Sequence, residues 1–430
     1  MSDSITLSRF KISIGRFGSS KLLRAGFWLT GANVGVGLLG YVYQVLMGRM
    51  LSPADFALLS AVMALITFFS SPLSAMFMVI SRRVSALRAQ AQFDTLRSLY
   101  SHAHEYLAWG GLIFLLLLIP FADTAQAYLK SPGQAPIWIF GVFMIFGAFL
   151  LVNNAYFQGM QRFGWLGAIS ASGMALRIAL SMLFIILGYG VNGALFGVLL
   201  ATASMWLVGG AAIRQGFSPK GINSRQSIEA FPIKTVLPVL IANIAFAAMT
   251  QLDMVLVNWY FPAEQAGIYA AASVLGKAVL YLPGGLVMAL YPMVAENHAK
   301  DKGSAYLMLQ AAAITAALCS LAAVVYWLFG EWLVSLLYGK PYAGAGELLR
   351  WYGFAILPMA LVMVAEHFLI AQGRVLFAWL FLGMAPLQVL AIHFWHAQLW
   401  MVIAIMGLCG AALFTVGYAM LWGGYRRAQL

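Results

Sequence analysis

Four charged residues of this sequence lie within long apolar runs: Arg177, Asp253, Lys277 and Glu366. If those runs cross a membrane, each charge near the bilayer centre costs about 2.5–3.5 kcal/mol even on lenient insertion scales. Such residues therefore face a cavity or a charged partner. A guanidinium or an ammonium at mid-depth suits an anionic group such as a pyrophosphate. Arg177 and Lys277 are accordingly candidate substrate-binding residues.

Lys277 also has a structural alternative, a pair with Asp253. At about 1.5 Å per helical residue, the two positions differ in height by roughly 6 Å, a gap that a lysine side chain can bridge. The sequence leaves open whether Lys277 pairs with Asp253 or binds substrate, and whether Asp253 takes part in ion coupling. Arg177 has no comparable carboxylate in its own half of the chain, which favours a role in substrate binding.

Glu366 is followed by His367 within an apolar run. Burial disfavours a charged carboxylate, and two neighbouring titratable groups exchange protons as a pair. These residues are therefore candidates for proton coupling, and a polar packing patch is the alternative.

Uncharged polar residues in or near the apolar runs can form hydrogen bonds with the polar groups of a substrate, although hydrogen bonding between helices is their commoner role. With the cation that ends the first run, they complete the candidate substrate contacts: Asn33, Gln44, Arg49, Asn153, Asn154 and Gln251.

The composition places these residues in a membrane protein. Of 430 residues, 63% are hydrophobic and 9% are charged, whereas soluble domains carry about 25% charged residues. The net charge of +12 comes from short loops between apolar runs and not from a basic surface, so we expect no nucleic-acid partner. Cys319 and Cys409 lie in apolar runs and are expected to be packing residues.

The apolar runs predict an all-α integral membrane protein of about twelve transmembrane helices, since a span needs roughly 20 apolar residues. The predicted spans are Ala25–Gly48, Phe56–Ile80, Tyr106–Phe121, Pro136–Gln158, Trp165–Gly188, Val191–Ile213, Val236–Trp259, Ala266–Tyr291, Ala305–Phe329, Leu348–Ala371, Val375–His396 and Leu399–Trp422. The first follows a basic segment, is too long for a signal-peptide core and is expected to be retained. The fifth and sixth are joined by a tight turn at Tyr189–Gly190.

The positive-inside rule predicts the orientation. With both termini in the cytoplasm, most of the 25 lysines and arginines fall in cytoplasmic segments, and only Arg49, Lys130 and Lys340 lie on the outer side. The stretch Ser81–Glu105 mixes arginines with apolar residues, which is typical of an amphipathic helix lying on the cytoplasmic leaflet. The spacing of Gly31 with Gly35, and of Gly193 with Gly197, predicts close helix packing.

Two similar turns suggest an internal repeat. Pro53-Ala54-Asp55 and Pro262-Ala263-Glu264 each precede an alanine-rich run, an even number of spans apart. A parallel repeat of this kind predicts two pseudo-symmetric six-helix lobes, as in alternating-access transporters; chance recurrence of Pro-Ala turns is the alternative. The predicted organisation is a basic segment 1–24, a first lobe 25–213, a linker 214–235, a second lobe 236–422 and a tail 423–430.

Three segments carry a family resemblance: 48–56, with Gly-Arg-Met-Leu-Ser-Pro-Ala-Asp-Phe; 251–275, which includes the second Pro-Ala turn; and 336–345, with Leu-Leu-Tyr-Gly-Lys-Pro-Tyr-Ala-Gly-Ala. The chain resembles the polysaccharide and oligosaccharide-lipid flippases of the multidrug/oligosaccharidyl-lipid/polysaccharide exporter superfamily, including O-antigen flippases. Ser52 and Ala57 replace glycines usual in that family. The resemblance implies two lobes around a central cleft, and a polyprenyl-pyrophosphate-linked oligosaccharide moved from the inner to the outer leaflet.

The resulting prediction is a transporter of the bacterial inner membrane and not an enzyme, with no cofactor or metal. Its partners would be the lipid-linked oligosaccharide, membrane lipid and other polysaccharide assembly proteins. Nucleotide-binding, zinc-protease and Cys-x-x-Cys signatures are absent from the sequence, so transport would be driven by an ion or by the substrate gradient. A multidrug/cation antiporter is the main alternative. A membrane polymerase or ligase is less consistent, because the outer segment Gly330–Glu347 is short.

Overall fold

The computed structural model describes residues 21–215, 233–281, 305–371 and 376–429, with side chains from 35–215, 237–280, 308–369 and 376–421. Within these ranges the chain is almost entirely helical and contains no strand. This agrees with the requirement that every backbone polar group in lipid be satisfied inside the protein.

The N-terminal half contains seven described helices. They are α1 (Lys21–Met50), α2 (Pro53–Ala89), α3 (Phe93–Leu118), the short α4 (Ala122–Leu129), α5 (Ala135–Gly159), α6 (Phe163–Phe184) and α7 (Gly190–Arg214). The beginning of α2 shows how its sequence specifies a helix start. The Ser52 hydroxyl accepts a hydrogen bond from the Asp55 amide at 3.1 Å, Pro53 occupies the first turn, and Asp55 adds a negative charge there.

The C-terminal half contains six described helices. They are α8 (Ile233–Tyr260), α9 (Ala263–Lys277), α10 (Ala305–Leu337), α11 (Ala345–Ala371), α12 (Leu376–Phe394) and α13 (Leu399–Gln429). Pro262 precedes α9 as Pro53 begins α2, so both Pro-Ala turns start a helix. We call the end of the molecule with the α1–α2 and α8–α9 turns the outer end and the opposite one the inner end, following the predicted topology.

The prediction of about twelve spans is confirmed. Nine stretches of the described chain are long and apolar enough to cross a membrane, and one of them, Phe163–Arg214, contains both α6 and α7. These two helices meet in the predicted tight turn, where Gly188 and Gly190 have φ of +89° and +52°. Those backbone conformations favour glycine. The first predicted span lies within α1, with side chains described from Gly35 onward, and the part of the eighth predicted span after Tyr281 lies outside the described residues.

The predicted amphipathic helix at Ser81–Glu105 is wrong. The segment consists of the last turns of α2 and the first turns of α3, joined by a turn in which Ala91 has φ of +55°. Its apolar residues Val84, Leu87 and Leu96 are buried in the core of the N-terminal half. The amphipathic pattern therefore arises because these helices extend beyond the apolar run and still pack against each other.

Glycine packing follows one of the two predicted motifs. A Cβ atom on Gly197 would lie 2.4 Å from the Ser181 amide nitrogen, and one on Gly193 would lie 2.9 Å from Phe184, so these glycines let α7 approach α6 closely. A Cβ on Gly35 would meet none of the described atoms within 4 Å. The described residues show no close packing at Gly35, and the side-chain surroundings of Gly31 lie outside them, so this motif stays a prediction.

The two halves share buried core at the outer end. One large cluster combines the outer parts of α1 and α2 with most of the C-terminal half, and α2 packs on both α8 and α9. The inner part of the N-terminal half has a separate core around Tyr100 and Tyr156. The fold is thus a pair of helical bundles that are joined most extensively at their outer ends. The exact lobe boundaries remain a prediction, since much of the segment 214–235 lies outside the described residues.

Candidate functional site

Arg177 lies on α6 and is directed towards α1 and α2. Its guanidinium carbon is 4.1 Å from the centre of the Tyr43 ring, and Nη2 is 2.9 Å from Sδ of Met63. Among the described residues no carboxylate pairs with Arg177, and its buried Nε has no hydrogen-bond partner. A cation over an aromatic ring is stabilised without being neutralised. Arg177 therefore keeps its positive charge available for an anion.

The same part of α1 and α2 contains further buried polar atoms that lack partners in the described ranges: Tyr43 Oη, Gln44 Oε1 and Ser60 Oγ. A buried donor or acceptor without a hydrogen bond is costly, and most such groups in proteins are satisfied. Of these residues Tyr43 contacts Arg177, and the two together retain donors and acceptors that suit a polar, anionic ligand.

Lys277 is in the opposite situation, because it is paired. Its Nζ donates to Asp253 Oδ1 at 2.9 Å, with the two side chains 12% and 0% exposed. Asp253 Oδ2 accepts from Tyr269 Oη at 2.8 Å and from Tyr352 Oη at 3.1 Å. The predicted pairing of Asp253 with Lys277 is confirmed. The carboxylate has three donors and one positive partner, so this charge is neutralised within the protein.

Sequence reasoning missed the two tyrosines that complete this cluster. Tyr269 and Lys277 lie eight residues apart on α9, which places them on one helix face, and this spacing could have identified Tyr269. Tyr352 comes from α11, and a Cβ on Gly276 would lie 2.2 Å from its ring. Gly276 therefore makes room for Tyr352, a relation that no sequence spacing reveals.

Glu366 and His367 lie on α11 and are not brought together by a hydrogen bond. Glu366 is 3% exposed, and its carboxylate forms no ion pair in the described part of the chain. His367 Nδ1 instead lies 2.9 Å from the carbonyl oxygen of Met363, one turn earlier. Their role in proton coupling remains a prediction, with Glu366 as a buried acid that has no ion pair among the described residues.

The remaining predicted contacts fall into different environments. Asn153 is buried and bonded on both sides, since it accepts from Tyr100 Oη at 2.7 Å and donates to the Trp206 carbonyl at 2.8 Å. This is interhelical bonding. Asn154 Oδ1 is buried without a described partner, and Gln251 is partly buried. The side chain of Asn33 lies outside the described residues.

Arg49 lies at the outer end and contacts residues that are distant from it in the sequence. Its Nε donates to the Leu337 carbonyl at 2.6 Å and its Nη2 donates to the Leu336 carbonyl. Arg49 therefore contacts the C-terminus of α10 and is not grouped with Arg177.

Comparison with known families and structures gives a consistent result. Residues 22–298, more than half of the chain, match the family described as polysaccharide biosynthesis protein, and residues 238–395 match the MatE family. No protein of curated function matches the sequence significantly.

Solved structures show the same fold at low sequence identity. An inward-facing multidrug resistance MATE transporter of the MOP superfamily superposes with a TM-score of 0.72 at 14% identity, covering 89% of this chain and 93% of that chain. An outward-facing MATE transporter gives 0.59 at 17%, covering 94% and 90%. The lipid II flippase MurJ, in an inward closed conformation, gives 0.69 at 13%, covering 91% and 87%.

These likenesses establish the fold as that of MOP-superfamily transporters, with about twelve helices in two bundles. The family match extends from the second residue of α1 beyond the end of α9 and includes both Pro-Ala turns, Arg177 and the Asp253–Lys277 pair. The chain is a multi-pass membrane protein that belongs to the polysaccharide biosynthesis protein family.

Proposed function

We propose that this protein moves a polyprenyl-pyrophosphate-linked oligosaccharide from the inner to the outer leaflet of a bacterial inner membrane. The observation that carries the proposal is Arg177, a mid-span cation without a carboxylate partner in the described chain and beside polar atoms that lack partners. A pyrophosphate is the anionic group of this substrate class and suits a guanidinium. Membership of the polysaccharide biosynthesis protein family supports the same class of substrate.

In this mechanism Arg177 binds the pyrophosphate, and Gln44 and Asn154 contact the sugar through polar atoms that are otherwise unpaired. Asn33 and Gln251 remain part of the proposed path. Lys277, Asn153 and Arg49 are engaged by protein groups in this structure, so their contribution to substrate binding requires those contacts to break. Both termini are cytoplasmic. Each net negative charge moved outward is favoured by about 2.3 kcal/mol per 100 mV of an inside-negative potential.

A multidrug/cation antiporter is the second candidate, because residues 238–395 match the MatE family and several MATE transporters share the fold. Such a protein needs an acidic group available to its cationic substrate. Of the two acidic residues that are buried in the described spans, Asp253 is already neutralised by Lys277, which leaves Glu366. An unpaired Arg177 disfavours a cation at its own position.

The test uses purified protein in proteoliposomes that contain a fluorescent polyprenyl-pyrophosphate oligosaccharide in the inner leaflet. The label that becomes accessible to a membrane-impermeant quencher is measured with time, against protein-free vesicles. We expect protein-dependent exposure of the lipid-linked sugar and no uptake of a cationic dye driven by a proton gradient. Dye uptake without flipping would assign the antiporter function and contradict the proposal.

A further inference from the structure

Two positively charged residues at the outer end of the molecule contact the opposite half of the chain. Positive residues are rare on the side opposite the cytoplasm, and the predicted topology leaves only Arg49, Lys130 and Lys340 there. Arg49 and Lys130 belong to the N-terminal half, and both contact the C-terminal half.

Arg49 lies in the last turn of α1 and caps the end of α10. The carbonyls of Leu336 and Leu337 belong to the last turn of α10, where backbone acceptors have no partner within the helix. Arg49 donates to both of them across the boundary between the halves. The neighbouring residue makes this approach feasible, because a Cβ on Gly48 would lie 2.4 Å from the Tyr338 ring.

Lys130 makes the equivalent contact at the end of α8. It follows α4 with a φ of +52°, and its Nζ donates to the Phe261 carbonyl at 2.7 Å, immediately after the last residue of α8. The contact is reciprocal, since Asn258 Nδ2 donates to the Leu129 carbonyl at 2.8 Å. The rings of Tyr128 and Trp259 stack beside it at 3.9 Å.

Both cations therefore lie at the C-terminal ends of helices from the other half. A helix C-terminus carries a partial negative charge that favours a nearby cation. We propose that Arg49 and Lys130 form a two-point electrostatic latch that holds the outer ends of the halves together, and that the latch must open before the protein can face outward. The latch acts on the conformational equilibrium, whatever substrate the protein carries.

The latch makes a quantitative prediction about that equilibrium. A cation at a helix terminus typically changes an equilibrium by roughly two- to fivefold. Arg49→Met and Lys130→Met should each raise the ratio of outward-open to outward-closed molecules by about that factor, and the double variant by about the product, because the two sites have no shared partner. Arg49→Lys keeps the charge and should have a smaller effect than Arg49→Met.

The measurement is an electron spin resonance distance distribution on the full chain in nanodiscs, after replacement of Cys319 and Cys409 by alanine. Spin labels at Thr124→Cys and Ala343→Cys report the outer end, where both native residues are exposed. Lys340→Met is the matched control, because it removes the third outer cation, whose side chain is exposed and contacts no carbonyl of the other half in the described residues.

We expect a longer outer distance to gain population in the Arg49→Met and Lys130→Met variants and not in Lys340→Met. A second label pair, Gln92→Cys with Leu376→Cys, lies at the inner end and should gain a shorter distance in the same variants. This reciprocal change distinguishes opening of a gate from unfolding, which would broaden both distributions. Unchanged distributions in the double variant, or an equal effect of Lys340→Met, would overturn the latch while leaving the flipping activity a separate question.

Discussion

Arg177 and Lys277 are two mid-span cations, one in each half, whose charges are handled in opposite ways. Lys277 has Asp253 as its partner, and two tyrosines saturate the same carboxylate. Arg177 has a tyrosine ring and a methionine sulfur, neither of which neutralises it. A buried charge can be kept by pairing, which makes it structural, or by polarisable neighbours, which leaves its field available to a ligand. The two halves therefore differ in how each holds its mid-span cation.

The largest expected effect comes from breaking the paired site. Asp253→Asn or Lys277→Met leaves one buried charge without its partner, and such a loss destabilises a protein by about 3–5 kcal/mol. The double variant, Asp253→Asn with Lys277→Met, removes both charges and should be less destabilised than either single variant. Thermal unfolding of the purified protein in detergent measures the three variants against the original chain.

Tyr269→Phe is the matched control for that experiment. It removes one of the three hydrogen bonds to Asp253 and keeps the ion pair, so its cost should be smaller, about 1.5–3 kcal/mol. Losses that simply add in the double variant would show that the pair contributes no coupling energy, and Lys277 would then be free to act on substrate.

Changing the unpaired site should affect transport more than stability. Arg177→Ala removes a charged contact to the pyrophosphate, typically about 1.5–3 kcal/mol, which corresponds to a loss of roughly tenfold or more in affinity. Arg177→Lys should retain part of the activity and Arg177→Glu should lose it. Surface polysaccharide is measured in cells at matched protein level. Full export by the Glu variant would contradict a role for positive charge at this position.

Substitution of Glu366 tests whether the C-terminal half couples transport to the movement of an ion. A proton that moves inward through Glu366 would change the charge of an enclosed group without a described partner, and so bias one arrangement of the helices. An imposed pH gradient should accelerate flipping in proteoliposomes of the original protein, and Glu366→Gln should respond little. His367→Gln should alter the response without abolishing it. An equal response of Glu366→Gln would make this residue a packing group.

The smallest effect is expected at the exposed pair of Arg350 with Glu331, which sharpens the comparison with Lys277. Arg350 Nη2 and Glu331 Oε1 are 2.8 Å apart, close to the 2.9 Å between Lys277 and Asp253, but the two side chains are 35% and 68% exposed. Exposed pairs contribute about 0–1 kcal/mol because solvent screens them. Glu331→Gln should therefore leave the unfolding temperature and export nearly unchanged. A loss as large as that of Asp253→Asn would mean that distance and not burial determines the contribution of a pair.

Several features of the site were accessible from sequence because they depend on height along a helix. Asp253 and Lys277 lie on consecutive spans, so their residue counts from a shared turn predicted their contact. The same counting located Arg177 at mid-depth. It could not supply the orientation of each helix about its axis, which decides that Glu366 is buried. Nor could it supply Tyr352, which reaches Asp253 from a helix 99 residues away.

The sequence alone determined that this protein lies in a lipid bilayer, how many spans it has and where most of its helices lie. The physical reason is local, because a backbone in lipid must satisfy its hydrogen bonds within its own helix, and a long apolar run therefore specifies a span by itself. Only the tertiary structure decided which cation is neutralised, which glycines permit close packing and where Arg49 donates, since its acceptor lies 288 residues away. Those outcomes depend on how distant helices rotate and meet, and elements that are individually stable can associate in more than one way until their side chains pack.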